Sequence, residues 1–305
     1  MNKNKPAKKL GFSLIELSVV ILIIGILVIG VTKGKKVLDS AKLASAKSLT
    51  TNSPVASIDG LRFWVEATSD KSFDAAEKID GGSGGNGTIT NWYDINPGST
   101  EGYKATQGTS TRRPFYTKSA INGMPALRFF NFNLTFLNAS IPMITSNQLE
   151  TFMVMQRIAV PDINFASMSF YNSSIPYDWL DQKVVIPSHE DGSIMYTNRA
   201  GGSVKSQTPH PGNGVPYIFS TRFNGINNIA YFNGTALNTV ASTGNFAIDN
   251  ILIGTRWGDG GPVVGVQYYY IGYIGELIIF DRALTNTERK DVTQYLSNKW
   301  GIKVQ

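Results

Sequence analysis

The chain has 305 residues, 42% hydrophobic and only 16% charged, with 16 Phe, 13 Tyr and 5 Trp. That composition excludes a disordered chain, and with 30 Gly it leans toward β structure with polar loops rather than a helical bundle. Cysteine is absent, which removes disulfides, thiolate metal sites and cysteine catalysis. The formal charge of +6 is concentrated in Lys3, Lys5, Lys8 and Lys9, and no basic stripe elsewhere supports nucleic acid binding.

An apolar run, Phe12–Val31, follows this basic leader and holds one carboxylate, Glu16. As a helix rising ~1.5 Å per residue, it spans roughly the ~30 Å of a bilayer's hydrocarbon core. A secretory signal peptide has a shorter run with a small-x-small site close behind; here the first such stretch, Ala44-Ser45-Ala46, lies well beyond. A plain membrane anchor fits the length but leaves Glu16 unexplained, because carboxylates in such segments are costly and usually have a partner.

The string Lys8-Lys9-Leu10-Gly11-Phe12-Ser13-Leu14-Ile15-Glu16-Leu17 resembles the processing site of type IV prepilins and pseudopilins. The resemblance implies a leader over residues 1–11, cut by a prepilin peptidase between Gly11 and Phe12, and N-methylation of Phe12. It also implies an assembly role for Glu16, the fifth mature residue. The new α-amine, with a reference pKa of ~7.7–8.0, would pair with Glu16 of a neighbouring subunit in a helical filament, so neither charge stays buried alone. Ser13 and Glu16 also have the spacing of a capping box. Pilins often carry a helix-breaking proline past the first glycine of this helix; here Lys33 and Gly34 occupy that stretch.

The helix is expected to continue to residue 50, completing an assembly or transmembrane segment over 12–50. Gly34, Val37, Ala41, Ala44 and Ser48 recur at steps of three and four, giving a narrow face of small side chains. That face would rest on the protein's own domain or pack between filament subunits. Thr51-Asn52-Ser53-Pro54 stops the helix, and a domain over 51–305 begins.

From Val55 onward the pattern shifts to period two. Strands are predicted over Leu61–Val65, Ala126–Phe130, Glu150–Ile158, Tyr217–Phe223, Asn228–Phe232, Ala236–Val240, Asn250–Thr255 and Tyr268–Asp281. Asn-Gly pairs at 122–123, 224–225 and 233–234 mark turns, the last a hairpin. Helix returns at the end, opened by the capping box Thr285-x-x-Glu288 and stopped at Gly301. The expected fold is mainly β: a long N-terminal helix, a large antiparallel sandwich and a short C-terminal helix.

The ending, Gly272-Tyr-Ile-Gly-Glu276-Leu-Ile-Ile-Phe280-Asp-Arg282 with Tyr295-Leu296-Ser-Asn-Lys299-Trp300-Gly301, is similar to bacterial concanavalin A-like (laminin G-like) domains. Further pieces are Gly60-Leu61-Arg62-Phe63-Trp64, Trp92-Tyr93-Asp94, Arg113-Pro114, Asn122-Gly123-x-Pro125-Ala126-Leu127-Arg128-Phe129 and Tyr231-Phe-Asn-Gly234. The resemblance implies a two-sheet jelly roll, often used to bind glycans or proteins and sometimes calcium.

Glycan-cleaving members of that fold carry paired carboxylates on one strand as Glu-x-Asp-x-x-Glu, a string absent here. Glu190-Asp191 follows Pro187-Ser188-His189 in a stretch that reads as a turn, and His189 and His210 read as isolated loop residues. An enzyme is therefore not expected. Candidate ligand contacts are Asp178 with Trp179 and Trp257 with Asp259, aromatics able to stack a sugar beside an acceptor; the alternative is that both tryptophans pack over the sandwich edge. No cofactor is implied, and although Asp94, Asn96, Asp178 and Asp259 offer oxygens for calcium, no spacing singles out a site.

The expectation is a pilin-like structural subunit displaying a lectin-like domain for adhesion or surface recognition. Its partners would be copies of itself or other pilins, prepilin peptidase, the inner membrane before assembly, and a glycan or surface protein. It would move from inner membrane to pilus and cell surface. The alternatives are a pseudopilin of a type II-like secretion system, facing the periplasm, and a membrane-anchored glycan-active enzyme.

Overall fold

A computed structural model describes residues 14–77, 87–130, 132–158, 165–174, 185–191, 194–199, 204–257 and 266–305. The chain divides into two compact units, Met1–Lys42 and Leu43–Gln305. Helix α1 runs from Leu14 to Thr51, so its last turns belong to the second unit.

The second unit is built on two antiparallel sheets, each of eight strands among the described residues. The first sheet runs, in hydrogen-bonded order, β14 (Thr235–Ala241), β13 (Asn227–Phe232), β12 (Pro216–Asn224), β7 (Gln148–Arg157), β18 (Gly272–Phe280), β5 (Met124–Phe129) and β4 (Phe115–Ile121). β7 lies along one edge of β18; β5 and β1 (Leu61–Glu66) divide the other, pairing with residues 272–274 and 276–280.

The second sheet runs β11 (Val204–Pro209), β10 (Ile194–Arg199), β9 (Val185–Asp191), β8 (Phe165–Tyr171), β15 (Phe246–Ile253), β6 (Leu137–Ser146), β3 (Lys104–Thr106) and β2 (Asn91–Tyr93). A two-stranded ribbon, β16 (Arg256–Trp257) and β17 (Val266–Gln267), stands apart from both. Helix α2 (Asn286–Trp300) follows β18.

The central strands β7 and β18 of the first sheet are buried on both faces, which explains their nearly unbroken apolar sequences, whereas β14 at its edge is largely exposed. Along β7, Leu149, Met153 and Met155 enter the core between the sheets, while Phe152 and Val154 enter a second core outside it. β18 divides likewise, with Ile274, Leu277 and Ile279 inward and Ile278 and Phe280 outward. The outer core is roofed by Val292, Leu296 and Trp300 of α2, Val55 of a short 3-10 turn, and Ala46 of α1. At ~1.5–3 kcal/mol for each large apolar side chain removed from water, the two cores dominate the stability of the unit.

In the second sheet β8 is buried on both faces, while β15 and β6 turn one face to the inter-sheet core. Phe246, Ile248, Ile251 and Ile253 of β15 and Leu137, Ala139, Ile141 and Ile144 of β6 point into the inter-sheet core. Asn138, Ser140 and Asn250, joined by hydrogen bonds, lie on the opposite side, where Ser140 is exposed and Asn250 buried.

Local signals behave as their chemistry requires. Thr285 and Glu288 form the reciprocal capping box of α2, and Gly301 closes it in the left-handed conformation with φ 63°. Asn233 and Gly234, at φ 47° and 85°, make the two-residue hairpin between β13 and β14. Two expectations are corrected. Glu190-Asp191 and His189 lie not in a turn or loop but on β9, where pairing with β8 and β10 overrides weak strand propensity. The last long strand begins at Gly272 rather than Tyr268, whose φ of 59° breaks it from the residues before.

Gly275 lies beneath α2, where an added Cβ would stand 2.5 Å from the Trp300 ring. That indole is buried and rigid, so Gly275→Ala is expected to lower stability by about 1–3 kcal/mol, read as a fall in the urea midpoint without a change in slope. Glu150 offers a second test. Burial raises its carboxyl from 4.5 to about 7, against the opposing pull of the Leu284 amide and of Arg289, Arg222 and Arg282. A carboxyl bound more tightly to its proton in the folded state contributes stability that is complete below about pH 4.5 and lost as pH rises through 7. Glu150→Gln removes that loss, so its stability relative to the parent should rise between pH 4.5 and 7.5 in urea unfolding. A difference that stays flat with pH would contradict the assignment.

Candidate functional site

Among the described residues, helix α1 carries the longest run of exposed apolar side chains. Leu17, Val19–Ile24 and Leu27 are all exposed, Leu22 by 63%. Six of these positions are consecutive, and at 100° per residue they point in every direction around the axis. An amphipathic helix buries one stripe; a helix that is apolar all round belongs inside something. Further along, Val37 is 70% exposed and Leu38 55%. Gly25 and Gly34 have no atom within 4 Å of where a Cβ would lie, so each leaves a place where another backbone fits closely. Gly11 and Phe12 lie outside the described residues. Glu16 sits in the first turn of α1, and its side chain also lies outside the description.

The last turns of α1 dock on the β unit through a different face from the small-residue stripe. Ala46 is buried, Leu49 packs against the outer core, and Thr50 Oγ1 lies 3.5 Å from the Tyr295 hydroxyl. Lys47 pairs with Asp70 at 2.7 Å. Gly34, Val37, Ala41, Ala44 and Ser48 are all exposed.

Beneath α2 lies a buried polar cluster. Glu276 Oε1 accepts hydrogen bonds from Trp64 Nε1 at 2.8 Å and the Tyr295 hydroxyl at 2.7 Å. Its Oε2 accepts from Trp300 Nε1 at 2.7 Å and lies 2.8 Å from Lys299 Nζ. Lys299 also reaches Glu66 Oε2 at 3.1 Å, and all three charged side chains are fully buried. Burial and the two carboxylates push the Tyr295 hydroxyl well above its ordinary value. Glu276 stands in the sequence as a single charge within an apolar string, Gly272–Phe280, a visible anomaly; Lys299 follows Ser297 and Asn298 and carries no such signal. Glu66 gave no comparable signal, because its partner is remote in sequence.

Of the four residues proposed to touch a ligand, Asp178, Trp179 and Asp259 lie outside the described residues. Trp257, on β16, is half-buried and stacks on Tyr171 with ring centroids 5.0 Å apart and planes at 28°. The Tyr171 hydroxyl donates to Asn138 Oδ1 on β6. Asp94 serves the backbone: its Oδ1 accepts from the amides of Trp64 and Asn96, while burial raises its carboxyl to about 6. His210 is a loop residue whose Nδ1 accepts from the Gly212 amide, with burial lowering its imidazole to about 3. Among the described residues no group of three or more His, Asp or Glu could hold a metal ion. The described residues also contain no helix long and apolar enough to cross a membrane, and the apolar run Phe12–Val31 includes residues outside that description.

The prokaryotic N-terminal methylation motif matches residues 6–32. The N-terminus is thereby pilin-like, and it is joined in this chain to a β-sandwich. No curated protein matches the chain by sequence. Among solved structures, the chain is similar to Trypanosoma rangeli sialidase, at 12% identity over 79% of this chain and 33% of that one, with a TM-score of 0.43. It thus spans about a third of that protein's length. It is also similar to domain 4 of AbnA, a GH43 extracellular arabinanase from Geobacillus stearothermophilus, solved with arabinotriose. There the identity is 18% over 77% of this chain and 98% of that one, and the TM-score 0.46. The binding domain of botulinum neurotoxin serotype G gives 10% identity, 77% and 50% coverage and a TM-score of 0.48.

Both cores lie within the second unit, which predicts that a chain starting at Leu43 folds alone. It should elute as a monomer without detergent and keep the thermal midpoint that the unit has in the full chain. Aggregation of that fragment, or a fall in its midpoint, would show that the apolar part of α1 supports the sandwich.

Proposed function

We propose that this chain is a pilin-like subunit, cut between Gly11 and Phe12, methylated on Phe12 and polymerised through α1, with its β-sandwich displayed for adhesion or surface recognition. The observation that carries the reading is the apolar surface exposed all round α1, in the segment matched by the methylation motif. Exposed apolar surface of this extent marks an interaction site, and a helix of this kind is satisfied first by a membrane and then by other helices. The open flanks of Gly25 and Gly34 and the exposed stripe through Ala41, Ala44 and Ser48 favour close packing between subunits.

In this reading the inner membrane holds the precursor, and the filament replaces it. Glu16 pairs with the new α-amine of a neighbouring Phe12, which offsets the cost of burying either charge alone. The sandwich, with its two antiparallel sheets, takes a glycan or a surface protein. A structural role rather than catalysis fits the buried carboxyls: Glu66, Glu150 and Glu276 are all sealed from solvent.

Co-expression with a prepilin peptidase is expected to yield a chain that begins at methylated Phe12, read by intact mass spectrometry. An unprocessed N-terminus would contradict the proposal. Glu16→Ala should leave processing and the thermal midpoint of the sandwich unchanged while reducing filament yield at least tenfold; normal yield would exclude the pairing.

A further inference from the structure

We propose that Lys299 forms an intramolecular amide bond with Glu66, with Glu276 carrying the proton between them. The proposal is independent of filament assembly and rests on the buried cluster beneath α2. Lysine is almost never fully buried unless paired, and here one ammonium faces two buried carboxyls, at 3.1 and 2.8 Å.

The two carboxyls are held in different ways, and the difference assigns their roles. Glu276 has both oxygens engaged, by Trp64 and Tyr295 on one and by Trp300 and Lys299 on the other. Glu66 is one-sided. Its Oε2 accepts from the Thr68 amide at 2.5 Å and the Thr68 hydroxyl at 2.6 Å, while its Oε1 is buried with no hydrogen-bond partner. Two fixed donors on one carboxyl oxygen, an unheld second oxygen and an amine in contact are the parts an acyl transfer requires.

The step balances without a redox partner. Glu276 takes a proton from the Lys299 ammonium, and the freed nitrogen lone pair attacks Cδ of Glu66. The Thr68 donors hold the charge that develops on Oε2. Glu276 delivers its proton to Oε1, which takes a second proton from the same nitrogen and leaves as water. One ammonium and one carboxylate become one amide and one water, and Glu276 ends as it began. Condensation removes two charges from a site where each carries a desolvation penalty. In a chain without cysteine, the bond would staple β1 to α2 near the two ends of the unit.

The test is mass spectrometry of the purified full chain, denatured, alongside Lys299→Arg from the same host. The parent is expected to be lighter than its sequence by one water, with a branched tryptic peptide joining the segments of Glu66 and Lys299. Lys299→Arg should have its full mass, and Glu276→Gln should keep the full mass or lose water far more slowly. A parent of full mass, with a linear peptide ending at Lys299, would overturn the proposal and leave an ion pair. So would a water loss mapped to any other residues. Because the parent alone decides the matter, a variant that fails to fold does not weaken the test.

Discussion

The β unit is organised around one buried carboxylate. Glu276 sits on the central strand β18, on the face turned away from the inter-sheet core, and is gripped by side chains from β1 and α2. Gly275, beside it, leaves room for the Trp300 ring. These contacts hold α2 flat on the outer face of the first sheet, and the second core closes beneath it. Without Tyr295, Lys299 and Trp300 of α2, Glu276 would keep only the Trp64 indole as a partner, so helix position and charge satisfaction are coupled. Tyr295 extends the same network toward Thr50 and so to the last turns of α1.

This closure separates the chain into two physical regimes. Within Leu43–Gln305 the apolar side chains of both cores are sealed. The earlier part of α1 obeys no such rule: Leu17, Val19–Ile24 and Leu27 are exposed around the full circumference. The residues of the small-residue face that the sequence periodicity picks out, Gly34, Val37, Ala41, Ala44 and Ser48, are likewise exposed. A domain that satisfies itself, carried by a helix that does not, is the division of labour expected of a polymerising subunit.

Much of the fold was legible because its signals are local. The Asn-Gly turn at 233–234, the Thr285–Glu288 capping box and the Gly301 stop each act within a few residues, and each appears as its chemistry dictates. Central strands such as β7 and β18 were legible from apolar runs. Of the strands not predicted, β2, β3 and β9 are short or polar and owe their existence to neighbours in the sheet, which a period-two count cannot register. By contrast, β6 and β8 are long or wholly buried, and their apolar residues were passed over. The same limit governs the sites. Glu16 stood out because a carboxylate in an apolar helix is anomalous in one dimension. The Tyr171–Trp257 stack and the Glu66–Lys299 contact join residues brought together only by topology.

Electron cryomicroscopy of material sheared from the surface of cells producing this protein tests the central claim most directly. The account predicts helical filaments in which residues 12–48 pack around the axis, with Glu16 beside the Phe12 nitrogen of a neighbour and the sandwich on the outside. Sheared material that contains the protein but no filament, or a filament whose axis is built from the sandwich with α1 left in solvent, would contradict it.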